Sequence, residues 1–203
     1  MIKPIETQYN GYLFRSRLEA RWAVFFDKAE IPYEYEPEGL DLNGTYYLPD
    51  FYLPWFHAYV EIKPISISDE EERIAKRKLE HLYDESDYLA LICFGDPFEN
   101  QMEIYCDYYD DDGGGVGWHN VSFIEGGWFY ADTGELYSGG KHYISLVVTG
   151  YKDYILLNNE KIRIESKSKL ESFRSDLTFA KEAARQARFE YGETPKIRRK
   201  NLC

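Results

Sequence analysis

Residues 48–63, which read LPDFYLPWFHAYVEIK, predict two strands that are joined by a short loop. Asp50 lies on the first strand, and the second strand ends in Glu61-Ile62-Lys63. Because the side chains of a strand alternate between its faces, Glu61 and Lys63 share one face and Ile62 lies on the other. Two carboxylates and one ammonium group on neighbouring strands are suited to hold Mg²⁺ and an attacking water. The segment therefore constrains both the fold and the site, because one sheet must bring these groups together.

The segments around these strands predict a mixed α/β order. A helix is expected over residues 16–29, where Ser16 and Glu19 have the spacing of a capping box. A second helix is expected over residues 69–84, behind the good N-cap residue Ser68. Strands are expected over residues 32–37, 45–53, 57–63, 88–94 and 102–108. The first three follow each other closely enough to form an antiparallel meander, and the fourth is apolar enough to be covered on both faces.

The second half of the chain predicts a linker, a β-rich element and a basic helix. Residues 110–117 (DDDGGGVG) are charged and then glycine-rich, and they lack the spaced acids and closing Glu of an EF-hand calcium loop. Residues 118–157 alternate turn signals with short β-like runs, including a hairpin near residues 132–135. A last helix is expected over residues 168–191. The predicted divisions are a core at 1–109, the linker at 110–117, an antiparallel β element at 118–157, and a basic helix and tail at 158–203.

The net charge of −12 is distributed unevenly along the chain. Residues 151–203 hold 13 Lys and Arg against 8 Asp and Glu, whereas residues 1–150 hold 11 against 28. A basic part after an acidic body permits nucleic-acid contact, and it leaves the acidic surface open to a basic protein partner. The candidate phosphate contacts, for which a solvated surface is the alternative, are Lys76, Lys78, Arg174, Lys181, Arg185 and Arg188.

Membrane spans, secretion and a thiolate zinc site are not expected. The sequence has no run of about 18 apolar residues, and its first residues lack the apolar stretch of a signal peptide. We therefore expect a cytoplasmic protein. Cys93, Cys106 and Cys203 show no CxxC spacing and are expected to be reduced thiols.

Three motifs in this order carry a resemblance to a known family. They are Glu19 in FRSRLEARWAVFF, Pro49-Asp50 in YLPDFYLP, and Glu61-Ile62-Lys63 in YVEIKP. Over residues 12–108 the chain resembles the PD-(D/E)xK nuclease superfamily, also called restriction-endonuclease-like. In particular, it resembles small phage and mobile-element proteins. These have a similar FRSRLEARWA opening and a similar ARQARFEYGETP closing helix. The resemblance implies an αβββαβ core with a β-rich insertion and a C-terminal helix, in the host cytoplasm if a phage encodes it.

The resemblance also implies a metal-dependent nuclease, with DNA as the expected substrate. Asp50, Glu61 and the backbone carbonyl of Ile62 would hold one Mg²⁺ or Mn²⁺ through oxygen ligands. Glu19 would reach the ion directly or through water. Lys63 would orient the attacking water and stabilise the negative charge that develops on the phosphate.

Each of these residues also has a plainer interpretation. Glu19 would only close the capping box, Asp50 would only form a turn after Pro49, and Glu61 with Lys63 would only form a surface ion pair across strands. Glu36 is a weaker site candidate, for which a solvated strand face is the alternative.

The whole protein has an alternative function as well. It is a non-catalytic protein- or nucleic-acid-binding module on the same fold, such as a phage adaptor or inhibitor. The sequence leaves open whether the substrate is DNA or RNA, which strand structure it has, and whether the chain forms a homodimer. It also leaves open whether the site is active and what residues 118–157 do.

Overall fold

A computed structural model gives the fold of a mixed α/β protein. It describes residues 4–110, 113–126, 128–129, 136–137, 144–149, 154–157, 160–163, 173–175 and 177–189, and the side chains of 4–106, 115–123, 146 and 177–189. In these residues the chain forms three α-helices and one large mixed sheet. This described part contains no helix with the length and apolarity that a bilayer crossing requires.

The two predicted helices of the first half are confirmed. Helix α1 spans Arg17–Ala29 and begins at the N-cap Ser16, whose Oγ accepts a hydrogen bond from the backbone N–H of Glu19. Helix α2 spans Asp69–Asp84 and begins at Ser68 with both halves of a capping box. Both helices start where a hydroxyl satisfies backbone N–H groups that have no partner inside the helix.

The strands are short, apart from two long ones in the middle of the chain. In chain order they are β1 Thr7–Tyr9, β2 Tyr12–Phe14, β3 Glu34–Tyr35, β4 Leu40–Leu42, β5 Thr45–Tyr47, β6 Phe51–Leu53, β7 Ala58–Lys63, β8 Leu89–Phe94, β9 Gln101–Asp110, β10 Gly113–Gly126, β11 Trp128–Phe129, β12 Leu136–Tyr137, β13 Ile144–Thr149, β14 Tyr154–Leu157, β15 Glu160–Arg163 and β16 Phe173–Ser175. The large sheet has the order β15-β14-β13-β10-β9-β8-β7-β6-β3, and β16 pairs with β10.

Strand β7 lies between an antiparallel and a parallel neighbour. It pairs antiparallel with β6, which pairs antiparallel with β3, so the predicted meander is confirmed. It pairs parallel with β8, whose six residues are all buried, and α2 forms the connection between the two strands. A parallel pair needs such a crossover, which places a helix over the sheet.

The two faces of β7 contact different hydrophobic clusters. Val60 and Ile62 belong to the cluster that contains the buried face of α1. Tyr59 belongs to the cluster that contains Leu79 and Leu82 of α2. The alternation predicted from the sequence is therefore present, and the strand is covered on both sides.

The predicted strand at residues 45–53 is wrong in one respect, because it is two strands. Strand β5 pairs with β4 in a separate hairpin, whereas β6 pairs with β7. Pro49 lies between them and has no N–H to donate to a sheet. Asp50 therefore lies directly before the first residue of β6 rather than inside a strand.

The linker expected at residues 110–117 is also corrected. Residues 113–117 belong to β10 and pair with residues 106–110 of β9. The predicted β element continues from there in the same sheet, through β13, β14 and β15. The turn predicted near 132–135 lies outside the described residues, although β11 and β12 on either side of it are paired. The division into domains stays a prediction.

The last helix is shorter than expected. Helix α3 spans Thr178–Gln186, whereas the prediction began at residue 168. Residues 173–175 form β16, and Ser175 pairs with Glu125 of β10. Long-range strand pairing thus overrides the helical spacing of the sequence. Arg174 is consequently on a strand and not on the predicted basic helix face.

Candidate active site

Asp50 is fixed at the point where β6 meets β7. Its side chain is buried, and Oδ2 accepts a hydrogen bond of 2.7 Å from the backbone N–H of Ile62. The register of the two strands pairs Phe51 with Val60, so Asp50 comes next to Glu61 one step further along. The sheet therefore brings the two predicted acids together, and the carboxylate of Asp50 does more than form a turn.

Glu61 and Lys63 lie side by side at the end of β7, as the sequence predicts. The Nζ of Lys63 forms an ion pair with Oε1 of Glu61, and the hydroxyl of Tyr47 donates to Oε2 at 2.7 Å. Glu61 is only 9% exposed, so this is not the surface pair of the plainer interpretation. A buried carboxylate with two donors is held in one orientation.

Glu19 lies in the first turn of α1 and is also buried. Its Oε1 accepts a hydrogen bond of 2.7 Å from the hydroxyl of Ser16, and its Oε2 accepts one of 2.7 Å from the hydroxyl of Tyr35. The backbone N–H of Arg15 also donates to Oε2, at 3.1 Å. Glu19 therefore supports the helix start, as the plainer interpretation expects, and also contacts β3.

The three acids Glu19, Asp50 and Glu61 form what we call the acidic cluster. Burial raises the pKa of Asp50 to about 8, and the negative charges of Glu61 and then Glu19 add to this effect. The N–H of Ile62 and the charge of Lys63 offset only part of it. Like charges gathered out of water are an unfavourable arrangement unless a cation joins them.

Arg15 provides a cation for one of these acids, Asp50, and the sequence did not predict this contact. Its Nη2 lies 2.5 Å from Oδ1 of Asp50, and its Nε lies 2.5 Å from Oε1 of Glu36. The side chain of Arg15 is nevertheless 53% exposed. One signal was available: Arg15 directly precedes the N-cap Ser16, so it had to lie at the helix end that carries Glu19.

Glu36, the weaker candidate of the sequence, contacts the site through Arg15. Its backbone N–H also donates to the carbonyl oxygen of Asp50 at 3.0 Å. Its φ of 43° lies in the left-handed region, which is unfavourable for a residue with a side chain. Glu36 is thus held beside Asp50 by the backbone rather than placed on a solvated strand face.

The chemistry of the acidic cluster suits a hard divalent cation, because all its donors are carboxylate oxygens. A cation there would also relieve the repulsion that raises the pKa of Asp50. Within the described residues, however, no three His, Cys, Asp or Glu side chains form a group ready to hold a metal. The oxygens are instead directed at protein donors. The carbonyl of Ile62 stays a predicted ligand, since the contact found at Ile62 is that of its N–H.

The predicted phosphate contacts are dispersed over the protein. Lys76 pairs with Glu72 and Glu103, and Lys181 is buried with its Nζ 2.9 Å from Oδ1 of Asn100. These two are the poorer candidates, because their charges already have partners. Their role as phosphate contacts, like that of the whole set, stays a prediction.

Lys78 has the best position of this set. It is exposed, and its Nζ lies 5.7 Å from the centre of the Tyr47 ring, which places it beside the residue that binds Glu61. Arg188 is exposed after α3, and Arg185 is exposed with its guanidinium 4.5 Å from the Phe98 ring. The side chain of Arg174 lies outside the described ones.

Replacing Tyr47 with Phe is expected to lower the free energy of unfolding by about 1.5–3 kcal/mol, because the buried Glu61 carboxylate loses a donor. Urea denaturation at pH 7 measures this change. The matched control is Tyr46→Phe, since Tyr46 is 71% exposed and its variant should stay within about 0.5 kcal/mol of wild type. Equal stability of the two variants would mean that the Tyr47 hydroxyl does not support Glu61.

No protein-family model, curated protein or solved structure matches the chain. The site must therefore be interpreted from its own geometry. It combines buried acids that repel each other, a lysine bound to one of them, and a half-exposed arginine at the rim. Carboxylate oxygens are the ligands that a divalent cation prefers, and a guanidinium matches the oxygens of a phosphate group.

Proposed function

We propose that the chain is a metal-dependent nuclease of the PD-(D/E)xK, restriction-endonuclease-like type, with DNA as its substrate. The observation that carries this proposal is the acidic cluster. Burial raises the pKa of Asp50, Glu61 and Glu19 raise it further, and Lys63 contacts Glu61 at the same strand end. These are the four residues to which the resemblance assigns catalysis.

The arrangement of the elements supports the same proposal. The order α1, β3, β6, β7, α2, β8 is the order that an αβββαβ core would have, with the β4–β5 hairpin inserted between β3 and β6. The acids come from the start of α1, the start of β6 and the end of β7. On this proposal the protein acts in the cytoplasm, which is the host cytoplasm if a phage encodes it, and a homodimer would serve to cut both strands.

In the proposed mechanism, Asp50, Glu61 and the carbonyl of Ile62 would hold Mg²⁺ or Mn²⁺, and Glu19 would support the ion directly or through water. When bound, such an ion would supply Lewis-acid chemistry and would lower the pKa of a water ligand. Lys63 orients the attacking water and stabilises negative charge on the phosphate. Its ion pair with Glu61 keeps the ammonium group at this position.

Cleavage assays test the proposal. Plasmid, single-stranded DNA, branched DNA and RNA are incubated with wild-type protein in Mg²⁺, Mn²⁺ or EDTA. We expect metal-dependent cleavage of DNA, and a rate about 100-fold lower in Lys63→Ala because a charge-stabilising group is lost. Absence of cleavage of every nucleic acid, or full activity in Lys63→Ala, would contradict the nuclease.

A second candidate is the non-catalytic binding module. One observation favours it: the carboxylates of the acidic cluster already have protein partners, namely Arg15, Ser16, Tyr35, Tyr47, Lys63 and the N–H of Ile62. Such a module would bind DNA or a basic protein equally well in Mg²⁺ and in EDTA. The same assays distinguish the two functions, because the module cleaves no nucleic acid.

A further inference from the structure

The side chain of Arg15 bridges one acid of the proposed metal site and one acid outside it. Asp50 belongs to the acidic cluster, whereas Glu36 is not among the predicted ligands. The guanidinium contacts both, at 2.5 Å each. Loss of either contact would therefore leave the other as an anchor.

The backbone of Arg15 is fixed while its side chain is accessible. Its N–H donates to Oε2 of Glu19 at 3.1 Å and to the hydroxyl of Tyr35 at 3.0 Å. The side chain is 53% exposed, in contrast to the 4% of the Asp50 side chain that it contacts. Arg15 therefore has a backbone held by hydrogen bonds and a charged group that is accessible from solvent at the rim of the site.

A divalent cation at Asp50 would compete with Arg15 for the same oxygen. Oδ2 of Asp50 accepts from the N–H of Ile62, and Oδ1 accepts from Arg15. A cation bound at Oδ1 would take the oxygen that Arg15 contacts. It would also place a double positive charge beside the guanidinium, and the two like charges would repel each other. Binding of the cation would therefore displace the guanidinium from Asp50.

We propose that Arg15 is a phosphate-binding residue that is held against Asp50 and Glu36 until a divalent cation replaces it on Asp50. This inference rests on the proposed metal-dependent function. The planar guanidinium matches the oxygens of a phosphate, and at the rim it would meet the sugar–phosphate backbone before the bases. Lys78 beside Tyr47 adds a second positive charge near the site. The ligand class is a nucleic-acid phosphodiester, and the contact is independent of base sequence.

Binding of Mn²⁺ without nucleic acid tests the competition. Free Mn²⁺ is measured by electron paramagnetic resonance during titration of wild type, Arg15→Gln and the control Arg17→Gln. Arg17 is exposed and carries the same charge two residues away. We expect about 10-fold tighter binding in Arg15→Gln alone, because the competing guanidinium is removed. Equal affinity in Arg15→Gln and wild type would overturn the inference and leave the nuclease intact.

Binding of nucleic acid tests the second role of Arg15. A non-cleavable phosphorothioate oligonucleotide is titrated in Ca²⁺ with the same three proteins and with Arg15→Lys. We expect about 10-fold weaker binding in Arg15→Gln, a salt slope lower by about one, and partial recovery in Arg15→Lys. Unchanged oligonucleotide affinity in Arg15→Gln would overturn the phosphate role. Failure of both wild type and Arg15→Gln to bind Mn²⁺ would contradict this inference and the proposed function together.

Discussion

The variant Asp50→Asn is expected to cleave nucleic acid about 10²–10⁴ times more slowly than wild type in saturating Mg²⁺. Asn keeps the size of the side chain and can still accept a hydrogen bond from the N–H of Ile62. It lacks the negative charge that binds a divalent cation. Loss of a metal ligand removes both activation of the water and charge stabilisation in the transition state. The initial rate of cleavage, measured with the substrate that wild type prefers, gives the ratio.

The control for this variant is Asp41→Asn. Asp41 is an exposed acid of the β4–β5 hairpin, where its Oδ1 accepts a hydrogen bond from the N–H of Gly44. The substitution makes the same change of charge outside the acidic cluster. Its cleavage rate should stay close to that of wild type, whereas a rate for Asp50→Asn near wild type would remove Asp50 from the mechanism.

The same Asp50→Asn substitution is expected to stabilise the protein in EDTA at high pH. Burial and the charges of Glu61 and Glu19 raise the pKa of Asp50 from an ordinary 3.8 to about 8 in the folded protein. Below pH 4 Asp50 is protonated in both the folded and the unfolded protein, so its contribution to the free energy of unfolding is fully present. Between pH 4 and 8 the unfolded chain releases the proton that the folded protein keeps. The stability of wild type therefore decreases with rising pH in this interval and levels off above pH 8.

Asn does not titrate, so the difference between variant and wild type isolates Asp50. Between pH 4 and 9 the free energy of unfolding of Asp50→Asn should increase relative to wild type by roughly 3–6 kcal/mol, since one pKa unit corresponds to about 1.4 kcal/mol. Urea denaturation in EDTA across this range measures the difference, and Asp41→Asn should show none of it. A difference that is independent of pH would mean that neither burial nor the neighbouring acids raise the pKa of Asp50 in the folded protein.

Together the two results separate a functional acid from a structural one. An acid that only supports the fold would lower stability when it is replaced. Replacement of an acid that is held near other acids for catalysis lowers activity and raises stability, because active sites retain unfavourable charge arrangements. Opposite effects on activity and stability are therefore the signature expected of Asp50.

Local patterns were sufficient to predict the parts of the fold that carry the site. Helices α1 and α2 begin at the predicted serine caps, because N-capping depends on a few neighbouring residues. Strands β7 and β8 follow from alternation and from a continuous apolar run. The proximity of Asp50 to Glu61 also followed, since adjacent strands joined by a short loop pair with each other.

Long-range contacts explain what the sequence did not predict. Strand β16 pairs with β10, and a helical periodicity that runs through residues 173–175 gives no sign of this contact. Tyr47 binds Glu61 from another element, and its spacing does not point to the site. Arg15 binds Asp50, and its only signal in the sequence is its place directly before the N-cap Ser16. Lys181 belonged to an apparent basic face, although it packs inside the protein against Asn100. Residues that contact a site from other elements of the fold can be identified only in the folded structure.

Crystals soaked in Mn²⁺ test the central claim most directly, because the ion identifies itself by anomalous scattering. We predict one Mn²⁺ with oxygens of Asp50 and Glu61 within about 2.0–2.6 Å, and Glu19 bound directly or through water. Arg15 should then no longer contact Asp50. Absence of an ion from the acidic cluster at saturating Mn²⁺, with Arg15 still on Asp50, would contradict a metal-dependent active site.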